Sequence, residues 1–292
     1  MRLKVKNIQG TIRLTDYCAK NFSILGSRSA AKKAINAGRI FLNNRRSFES
    51  DVVSNGDVII LKKPENKPNK IGNIGVEMDI VFQDEYLIVV NKPAGIAVNG
   101  NRKKTLENII ATIAKKSSQK DALPQPVAAH RIDVPTKGLV ILAKTKSALI
   151  NINKAFQNNK IQKTYIAVVH GALKSVGRIE TLINGKSAIT LYESISIVPS
   201  KVFKNLSMLR LKLITGRTHQ LRIHLKEHGH LIVGDKQYAN EEKTILGKGL
   251  FLCSCELLLN HPITNEKLEL KIDPPKRFSR LLDREEARFE KR

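Results

Sequence analysis

The sequence predicts an α+β protein: a small N-terminal α/β module, then a larger domain with a mostly antiparallel mixed sheet flanked by helices. Most apolar segments after residue 77 are short and alternate with polar residues, as half-buried strands do. A few segments instead repeat apolar residues at helical spacing. A stretch rich in Lys, Asn, Pro and Gly, residues 63–76, has no apolar period and is expected to link the two parts.

The composition indicates a folded, strongly basic protein. A chain of 292 residues with 41% hydrophobic content is long enough for two domains and a sizeable core. Lys and Arg number 51 against 26 Asp and Glu, so the formal net charge is +25. Residues 1–70 carry 15 of the basic side chains and 5 of the acidic ones, which is the denser part. A polyanion is therefore the expected partner, with nucleic acid first.

The cysteines and the hydropathy pattern exclude several classes of protein. Cys18, Cys253 and Cys255 form an odd set without a CxxC pair, so neither a disulfide framework nor a four-ligand zinc site is expected. No run approaches the roughly 18 apolar residues of a membrane span, and the N-terminus has no signal-type apolar stretch. We expect reduced thiols, a cytoplasmic location and no membrane partner.

The N-terminal module is predicted to contain a basic helix within residues 23–40. Ser27 or Ser29 can cap this helix and Gly38 can close it. Its apolar face comprises Ala31, Ala34 and Ile35. The basic side chains outside that face are Arg28, Lys32, Lys33 and Arg39. Residues 40–61 then predict short strands separated by turns, which completes a compact module.

The larger domain is predicted to be rich in strands. "YLIVVNKP" reads as a buried strand ended by Pro93, and "GLVILA", which begins at Gly138, as another. Residues 209–215 and 267–273 alternate Leu or Ile with polar residues, which is typical of half-buried strands. Residues 147–159 instead predict an amphipathic helix. The strand order does not follow from these patterns.

Asp133, in "HRIDVPTKGLVILAK", is the candidate for chemistry. As a surface acid beside Arg131 it would need no explanation, since exposed pairs contribute only about 0 to 1 kcal/mol. At the entrance of a buried strand it would be partly desolvated and would need a cation. Arg131 serves only if the local backbone is regular, which Pro135 makes uncertain. Arg217, in "TGRTHQLRIHLKEHG", is the other candidate cation.

The same segment predicts a helix and contains a short metalloprotease-like pattern. Gly229 is a good helix terminator, and "HLKEH" places His224, Glu227 and His228 in H-x-x-E-H spacing. Such a protease also needs a third protein ligand, and no obvious candidate follows. We therefore expect packed or solvated histidines and no metal. Phosphate-binding loops of the Walker type are also missing from the sequence.

Six segments in order resemble the RluA-type pseudouridine synthases over about residues 77–275. They are "DIVFQDEYLIVVNKPAGIAV", "HRIDVPTKGLVILAKT", "KTYIAVVHG", "TGRTHQLRIHL", "GHLIVGDKQYA" and "LLLNHPITNEKLEL". Residues 11–62 are similar to the small RNA-binding domain named after ribosomal small-subunit protein four. The resemblance implies an RNA-binding domain at 11–62 and a catalytic domain at 77–283.

The resemblance also implies an activity and its residues. The family isomerises uridine in RNA without a cofactor or a metal. Asp133 would be the catalytic acid, acting as nucleophile or as base at the sugar, and Arg217 would pair with it. The alternative for Arg217 is a phosphate contact. Tyr165 would stack on the detached ring and assist proton removal from carbon five, or it is simply an inward-facing strand aromatic.

RNA contacts complete the expected site. A base in paired or stacked RNA must be flipped out, and Arg131 would fill the gap or bind a phosphate. His130 and Arg222 are further expected RNA contacts in the catalytic domain. In the N-terminal domain the expected contacts are Arg28, Lys32, Lys33 and Arg39. The expected partner is ribosomal or transfer RNA and the protein a monomer; the competing hypothesis is a non-catalytic RNA-binding or ribosome-assembly protein.

Overall fold

The structure, a computed structural model, describes residues 1–62, 78–102, 104–173, 175–239 and 247–290. The chain divides into two compact units, Met1–Lys70 and Ile71–Arg292. The predicted linker, residues 63–76, lies outside the described residues. Each unit has its own hydrophobic core.

The N-terminal unit combines two helices with short strands. Its elements are β1 (Arg2–Lys4), β2 (Ile12–Arg13), α1 (Leu14–Asn21), α2 (Arg28–Asn36), β3 (Ile40–Leu42), β4 (Arg45–Arg46), β5 (Val52–Val53) and β6 (Val58–Leu61). Four strands form an antiparallel sheet in the order β1-β6-β3-β4, and β2 pairs with β5. The apolar sides of α1 and α2 contribute to one core with this sheet.

Helix α2 is the basic helix that the sequence predicts. The Ser27 hydroxyl accepts a hydrogen bond from the Ala30 amide at 3.1 Å, which caps the first turn. Gly38, with a φ of 66°, follows the last turn and ends the helix. Helix α1 was not predicted, because Arg13 precedes it without a capping side chain and the helix has only eight residues.

The second unit contains the large sheet. Its strands are β7 (Asp79–Gln83), β8 (Leu87–Lys92), β9 (Ala122–Ala128), β10 (Lys137–Thr145), β11 (Gln162–His170), β12 (Val176–Ile183), β13 (Lys186–Ser200), β14 (Lys204–Leu213), β15 (Leu252–Asn260) and β16 (Lys267–Lys271). Its helices are α3 (Leu106–Ile113), α4 (Lys146–Gln157), α5 (Gln220–Glu227) and α6 (Arg277–Glu290).

The sheet is mixed and mostly antiparallel. Its order is β12-β13-β14-β11-β15-β10-β8-β7, with β16 paired to β15 and β9 to β10. Strands β10 and β15 run parallel and meet only where Lys137 and Gly138 lie opposite Cys253 and Ser254. Gly138 has a φ of 126°, and a Cβ there would overlap the Ser254 backbone. This junction therefore requires glycine.

Helices cover both faces of the sheet. Alternate residues of β8 and β10 point to opposite faces, so Ile88 and Val140 pack with α3, α5 and α6 in one core. Leu87 and Ile141 pack with α4 in the other. The predicted α+β class and its mostly antiparallel mixed sheet are confirmed. Among the helices that the structure describes, none is long and apolar enough to cross a membrane.

Candidate active site

A cleft of about 480 Å³ opens where the loop before β10 meets the start of β11 and the segment that leads into α5. Asp133, Tyr165 and Arg217, the three residues expected to be catalytic, all line it. So do His130, Arg131 and Arg222. Tyr165 lies on β11 and Arg222 on α5, whereas the other four residues lie in the loops before β10 and α5.

The Asp133 carboxylate lies in the cleft and is mostly shielded from solvent. It follows Ile132, which packs in the core, and its carbonyl accepts the Thr136 amide at 3.0 Å in a turn before β10. The side chain is 19% exposed, which agrees with the partial desolvation expected at a strand entrance. Two cationic or ionisable side chains face it, those of Arg222 and His219.

Arg222, and not Arg217, pairs with Asp133. Arg222 Nη1 donates to Asp133 Oδ2 at 3.1 Å, whereas Arg217 Nε donates to the Ser187 carbonyl at 3.0 Å. This corrects the pairing that the resemblance implied. Arg217 precedes α5 and is exposed, while Arg222 lies within the helix on its buried side. The helical spacing from Arg222 to the buried Leu225 was a signal that could have identified it.

Arg222 is held by a second, fully buried carboxylate. Its Nε and Nη2 donate to the two oxygens of Asp235 at 2.7 and 2.8 Å, and Nη2 also donates to Gln237 Oε1 at 3.1 Å. Burial disfavours the charge, but the hydrogen bonds and attraction of Asp235 outweigh it and raise the pKa of Arg222. The two parallel hydrogen bonds to Asp235 fix the orientation of the guanidinium. Its remaining nitrogen, Nη1, therefore points at Asp133.

His219 approaches the other oxygen of Asp133 and is oriented by Tyr238. His219 Nε2 lies 3.6 Å from Asp133 Oδ1, and its Nδ1 lies 2.8 Å from the Tyr238 hydroxyl. A nitrogen lone pair facing a carboxylate would be repelled, so Nε2 carries the hydrogen. In the neutral imidazole Nδ1 is then the acceptor, and the Tyr238 hydroxyl donates to it. Asp133 thereby sets the tautomer of His219, and the hydrogen bond from Tyr238 stabilises it.

Tyr165 lies on β11 with its side chain buried at the cleft. It stands opposite Leu211 of β14 and Ser254 of β15, near the middle of the sheet. Burial raises the pKa of Tyr165 to about 12. The phenol is therefore neutral at physiological pH and presents a ring, rather than an anion, to the cleft.

Lys92 supports the Asp133 loop and was missed by the sequence reasoning. Its buried ammonium donates to the carbonyls of Pro93, Ile96 and Val134, the last of which is adjacent to Asp133. Burial lowers the pKa of Lys92 to about 8, although attraction to Asp133 opposes this shift. Its position at the end of an apolar strand gave no indication that three carbonyls converge on it.

His130 and Arg131 differ in what they present to the cleft. His130 Nε2 accepts the Ile141 amide at 3.0 Å, and its ring lies against Phe156 with centroids 5.0 Å apart. Burial, with a smaller contribution from nearby Lys163, lowers the pKa of His130 to about 3. His130 is therefore neutral, so it offers RNA phosphates no positive charge. Arg131 is exposed.

Four basic residues of the N-terminal unit are expected to bind RNA. Two of them have a carboxylate partner, and the other two have none among the described residues. Arg28 pairs with Asp16 and Lys32 with Glu49, both at 2.6 Å. Arg39 Nε donates to the Lys62 carbonyl at 3.2 Å. Lys33 is exposed, and among the described residues no carboxylate pairs with it. All four side chains lie on the surface of the unit, but only some of their charge is uncompensated.

The residues of the metalloprotease-like pattern do not converge. His224 is buried and its Nδ1 lies 3.0 Å from the Thr190 hydroxyl, whereas Glu227 and His228 are exposed. Over the described ranges no three His, Cys, Asp or Glu side chains are grouped as metal ligands. Cys18, Cys253 and Cys255 are unpaired and buried. The pattern is thus part of an ordinary amphipathic helix.

Comparisons with known proteins agree on one family. A family model described as "RNA pseudouridylate synthase" matches residues 86–227. "Ribosomal large subunit pseudouridine synthase C" of Rickettsia felis is 30% identical over 297 residues, covering 91% of this chain and 94% of the relative. "Ribosomal large subunit pseudouridine synthase D" of Zymomonas mobilis is 33% identical over 246 residues, covering 75% and 74%.

Solved structures share the fold. "Human RNA Pseudouridylate Synthase Domain Containing 1" superposes with a TM-score of 0.58 at 23% identity, covering 68% of this chain and 84% of that one. "Human RNA Pseudouridylate Synthase Domain Containing 4" gives 0.56 at 24% identity, covering 70% and 92%. At these identities the likeness concerns the fold alone.

Proposed function

Since this chain belongs to the RNA pseudouridylate synthase family, we propose that it converts specific uridines of RNA to pseudouridine with Asp133 as its catalytic acid. The observation that carries this assignment is the Asp133 carboxylate in a cleft, held 3.1 Å from a guanidinium that is itself fixed by Asp235. The reaction is an isomerisation. It breaks the bond from the anomeric carbon to N1 and joins that carbon to carbon five; carbon five loses a proton and N1 gains one, so the atoms balance.

Each cleft residue has a definite part in this proposal. Arg222 holds the Asp133 carboxylate in place, because its guanidinium donates a charged hydrogen bond to one carboxylate oxygen. The carboxylate acts on the electron-poor sugar, as nucleophile or as base. The neutral ring of Tyr165 stacks on the detached uracil and orients it, while the carbon-five proton passes to water. Arg131, exposed at the cleft, occupies the gap left when the base is flipped out.

Ribosomal RNA is the substrate that we propose. The relatives from Rickettsia felis and Zymomonas mobilis are named for the large ribosomal subunit, and each aligns with three quarters or more of this chain. The net charge of +25 suits a large polyanion. A non-catalytic RNA-binding role is disfavoured, since such a role would have no use for the partly buried Asp133 and its fixed partner.

We also propose that residues 11–62 form an RNA-binding domain like that of ribosomal small-subunit protein four, with residues 77–283 as the catalytic domain. The capped basic helix α2 and the exposed cations around it support this proposal. Lys33 is its principal phosphate contact, because Lys32 and Arg28 already have carboxylate partners. Each phosphate contact would add about 0.7 to 0.9 to the salt dependence of RNA binding.

Two measurements test the activity. Pseudouridines mapped in total RNA from cells with and without this protein should differ at one or a few positions, in ribosomal RNA. RNA from the cells that lack the protein, labelled with tritium at carbon five of uridine, should release tritium to water when the purified protein is added. No difference in the map together with no tritium release would exclude the proposed reaction.

A further inference from the structure

Lys163 is a half-buried cation at the cleft that nothing within the described part of the protein neutralises. It lies two residues before Tyr165 on β11, so both side chains point to the same face and stand about 7 Å apart along the strand. Both line the cleft. Burial lowers the pKa of Lys163. No carboxylate among the described residues pairs with it.

The surroundings of Lys163 add positive charge instead of removing it. A Cβ at Gly216 would lie 3.2 Å from Lys163 Nζ, so the ammonium is adjacent to the backbone that leads into Arg217. Arg217 uses only Nε in a hydrogen bond within the described residues, and its guanidinium is exposed at the cleft. On the other side the Lys163 ammonium stands over the Phe156 ring, 5.5 Å from its centroid. Neutral His130 also lines this end.

A half-buried ammonium without a partner is destabilising in the free protein, because its partial desolvation is not offset by an opposite charge. The cation–π contact with Phe156 stabilises the Lys163 charge only in part. An anion that enters from solvent would stabilise it further. Two cations on adjacent walls of a cleft, one mobile and one planar, suit the tetrahedral oxygens of a phosphate.

We propose that Lys163 and Arg217 form a phosphate subsite that binds a phosphodiester next to the target uridine and so positions the flipped nucleotide between Tyr165 and Asp133. This subsite rests on the proposed function, because the phosphate belongs to the RNA whose base enters the cleft. It differs from the catalytic pair. Lys163 and Arg217 contact the backbone, whereas Asp133 and Tyr165 contact the sugar and the base.

The first test uses small probes and needs no knowledge of the RNA sequence. Uridine, uridine 5′-monophosphate and uridine 3′-monophosphate are titrated into the full-length protein, the Lys163→Met variant and a Lys160→Met control. Lys160 is exposed and lies outside the cleft. One of the monophosphates should bind roughly tenfold more tightly than uridine, and Lys163→Met should abolish that advantage. If neither monophosphate is preferred, or the preference survives in Lys163→Met, the subsite does not exist.

The second test separates ligand binding from a structural role. Lys163→Met should raise KM for tritium release from the labelled RNA roughly tenfold and lower the salt slope of RNA binding by about 0.7, with a smaller fall in kcat. It should also raise the unfolding temperature of the free protein, since it removes an unpaired, half-buried charge and keeps an apolar side chain in its place. Lys163→Arg should restore most of the affinity. A lower unfolding temperature with an unchanged salt slope would make Lys163 structural and overturn the proposal.

The isomerase activity and the phosphate subsite can be excluded independently of each other. If the wild-type protein releases no tritium from any RNA while a monophosphate preference still depends on Lys163, the isomerase activity is excluded and the phosphate subsite stands. If tritium is released normally by Lys163→Met at low RNA concentration and at every salt concentration, the activity stands and the subsite is excluded. Arg217→Met should reproduce the KM effect of Lys163→Met in weaker form.

Discussion

Arg222 Nη1 lies 3.1 Å from Asp133 Oδ2 and joins two segments of the chain that are 89 residues apart. The same guanidinium makes two hydrogen bonds to Asp235, whose side chain is fully buried. Asp133 is therefore one arm of a three-residue ionic network and not an isolated acid. Any change at Arg222 alters both the chemistry of the cleft and the packing beneath it.

Substitution of Arg222 should damage activity and stability together. Arg222→Met removes the partner of the buried Asp235 carboxylate, which should lower the free energy of unfolding by roughly 3 to 5 kcal/mol. Arg222→Lys should retain part of the stability but lose most of the turnover, since one ammonium cannot hold both carboxylates in a fixed fork. Denaturant unfolding and single-turnover rates at saturating RNA measure the two effects.

Arg217 is the matched control for that experiment. Arg217→Lys should turn over nearly normally, and Arg217→Met should recover its rate at saturating RNA, because Arg217 does not contact Asp133. A single-turnover rate for Arg217→Met that stays far below wild type at saturating RNA would mean that Arg217 joins the catalytic pair when RNA binds.

Asp133→Asn should remove activity and spare binding. The amide keeps the shape of the side chain but carries no negative charge, so isomerisation should fall by about 10³-fold or more. RNA affinity should remain close to wild type, since Asp133 contributes no positive charge to phosphate contacts. Tritium release and a direct binding measurement on the same preparation check both statements. Turnover by this variant within about tenfold of the wild-type rate would remove Asp133 from its assigned role.

The sequence predicted the helices and strands better than it predicted the side-chain contacts between distant parts of the chain. Strands β8 and β10 and helices α2, α4 and α5 follow from apolar periodicity and end signals, because these depend on neighbours in the chain. The partner of Asp133 depends on how α5 is rotated against the sheet, which periodicity indicates only through Leu225. The three carbonyls around Lys92 come from loops that no local pattern specifies. Long-range polar geometry was therefore the part that required the structure.

The low pKa of His130 leads us to expect that the protein loses stability in acid. Its folded pKa, about 3, lies below its ordinary value of 6.5, so between these values the unfolded chain binds a proton that the folded protein does not. The free energy of unfolding should thus fall as the pH decreases from 6.5 towards 3, by at most about 1.4 kcal/mol per pH unit for this one group. His130→Gln, which keeps an acceptor for the Ile141 amide, should weaken that dependence in urea titrations at several pH values. An identical pH dependence in the variant would contradict the neutral state of His130.

Tyr238→Phe should reduce turnover several-fold without affecting RNA binding. The loss of one hydrogen bond of about 0.5 to 1.5 kcal/mol frees His219 to change tautomer and to turn away from Asp133. Tyr192→Phe is the control, because Tyr192 lies on β13 outside the cleft. The imidazole nitrogen signals of His219, observed by NMR, should show a single tautomer in the wild-type protein and a mixture in Tyr238→Phe.

Lys33 and Lys32 should contribute differently to RNA binding, although they are neighbours on one basic helix. Lys33→Ala should lower the salt slope of RNA binding by about 0.7 to 0.9, the value of one phosphate contact. Lys32→Ala should have a smaller effect, since Lys32 already pairs with Glu49 at 2.6 Å. Equal slopes in the two variants and in the wild-type protein would show that this face of the N-terminal unit does not hold RNA.

The glycine at the parallel junction of β10 and β15 affects how genetic data on this protein should be read. Gly138 contacts no substrate in any proposal above, yet every other amino acid would push β10 away from Ser254 and move the Asp133 loop five residues earlier. In a saturation-mutagenesis survey scored by growth, substitutions at position 138 would thus reduce growth as strongly as those at position 133. Only protein abundance, measured alongside fitness, separates the two: Asp133 variants accumulate as inactive protein, whereas Gly138 variants are degraded.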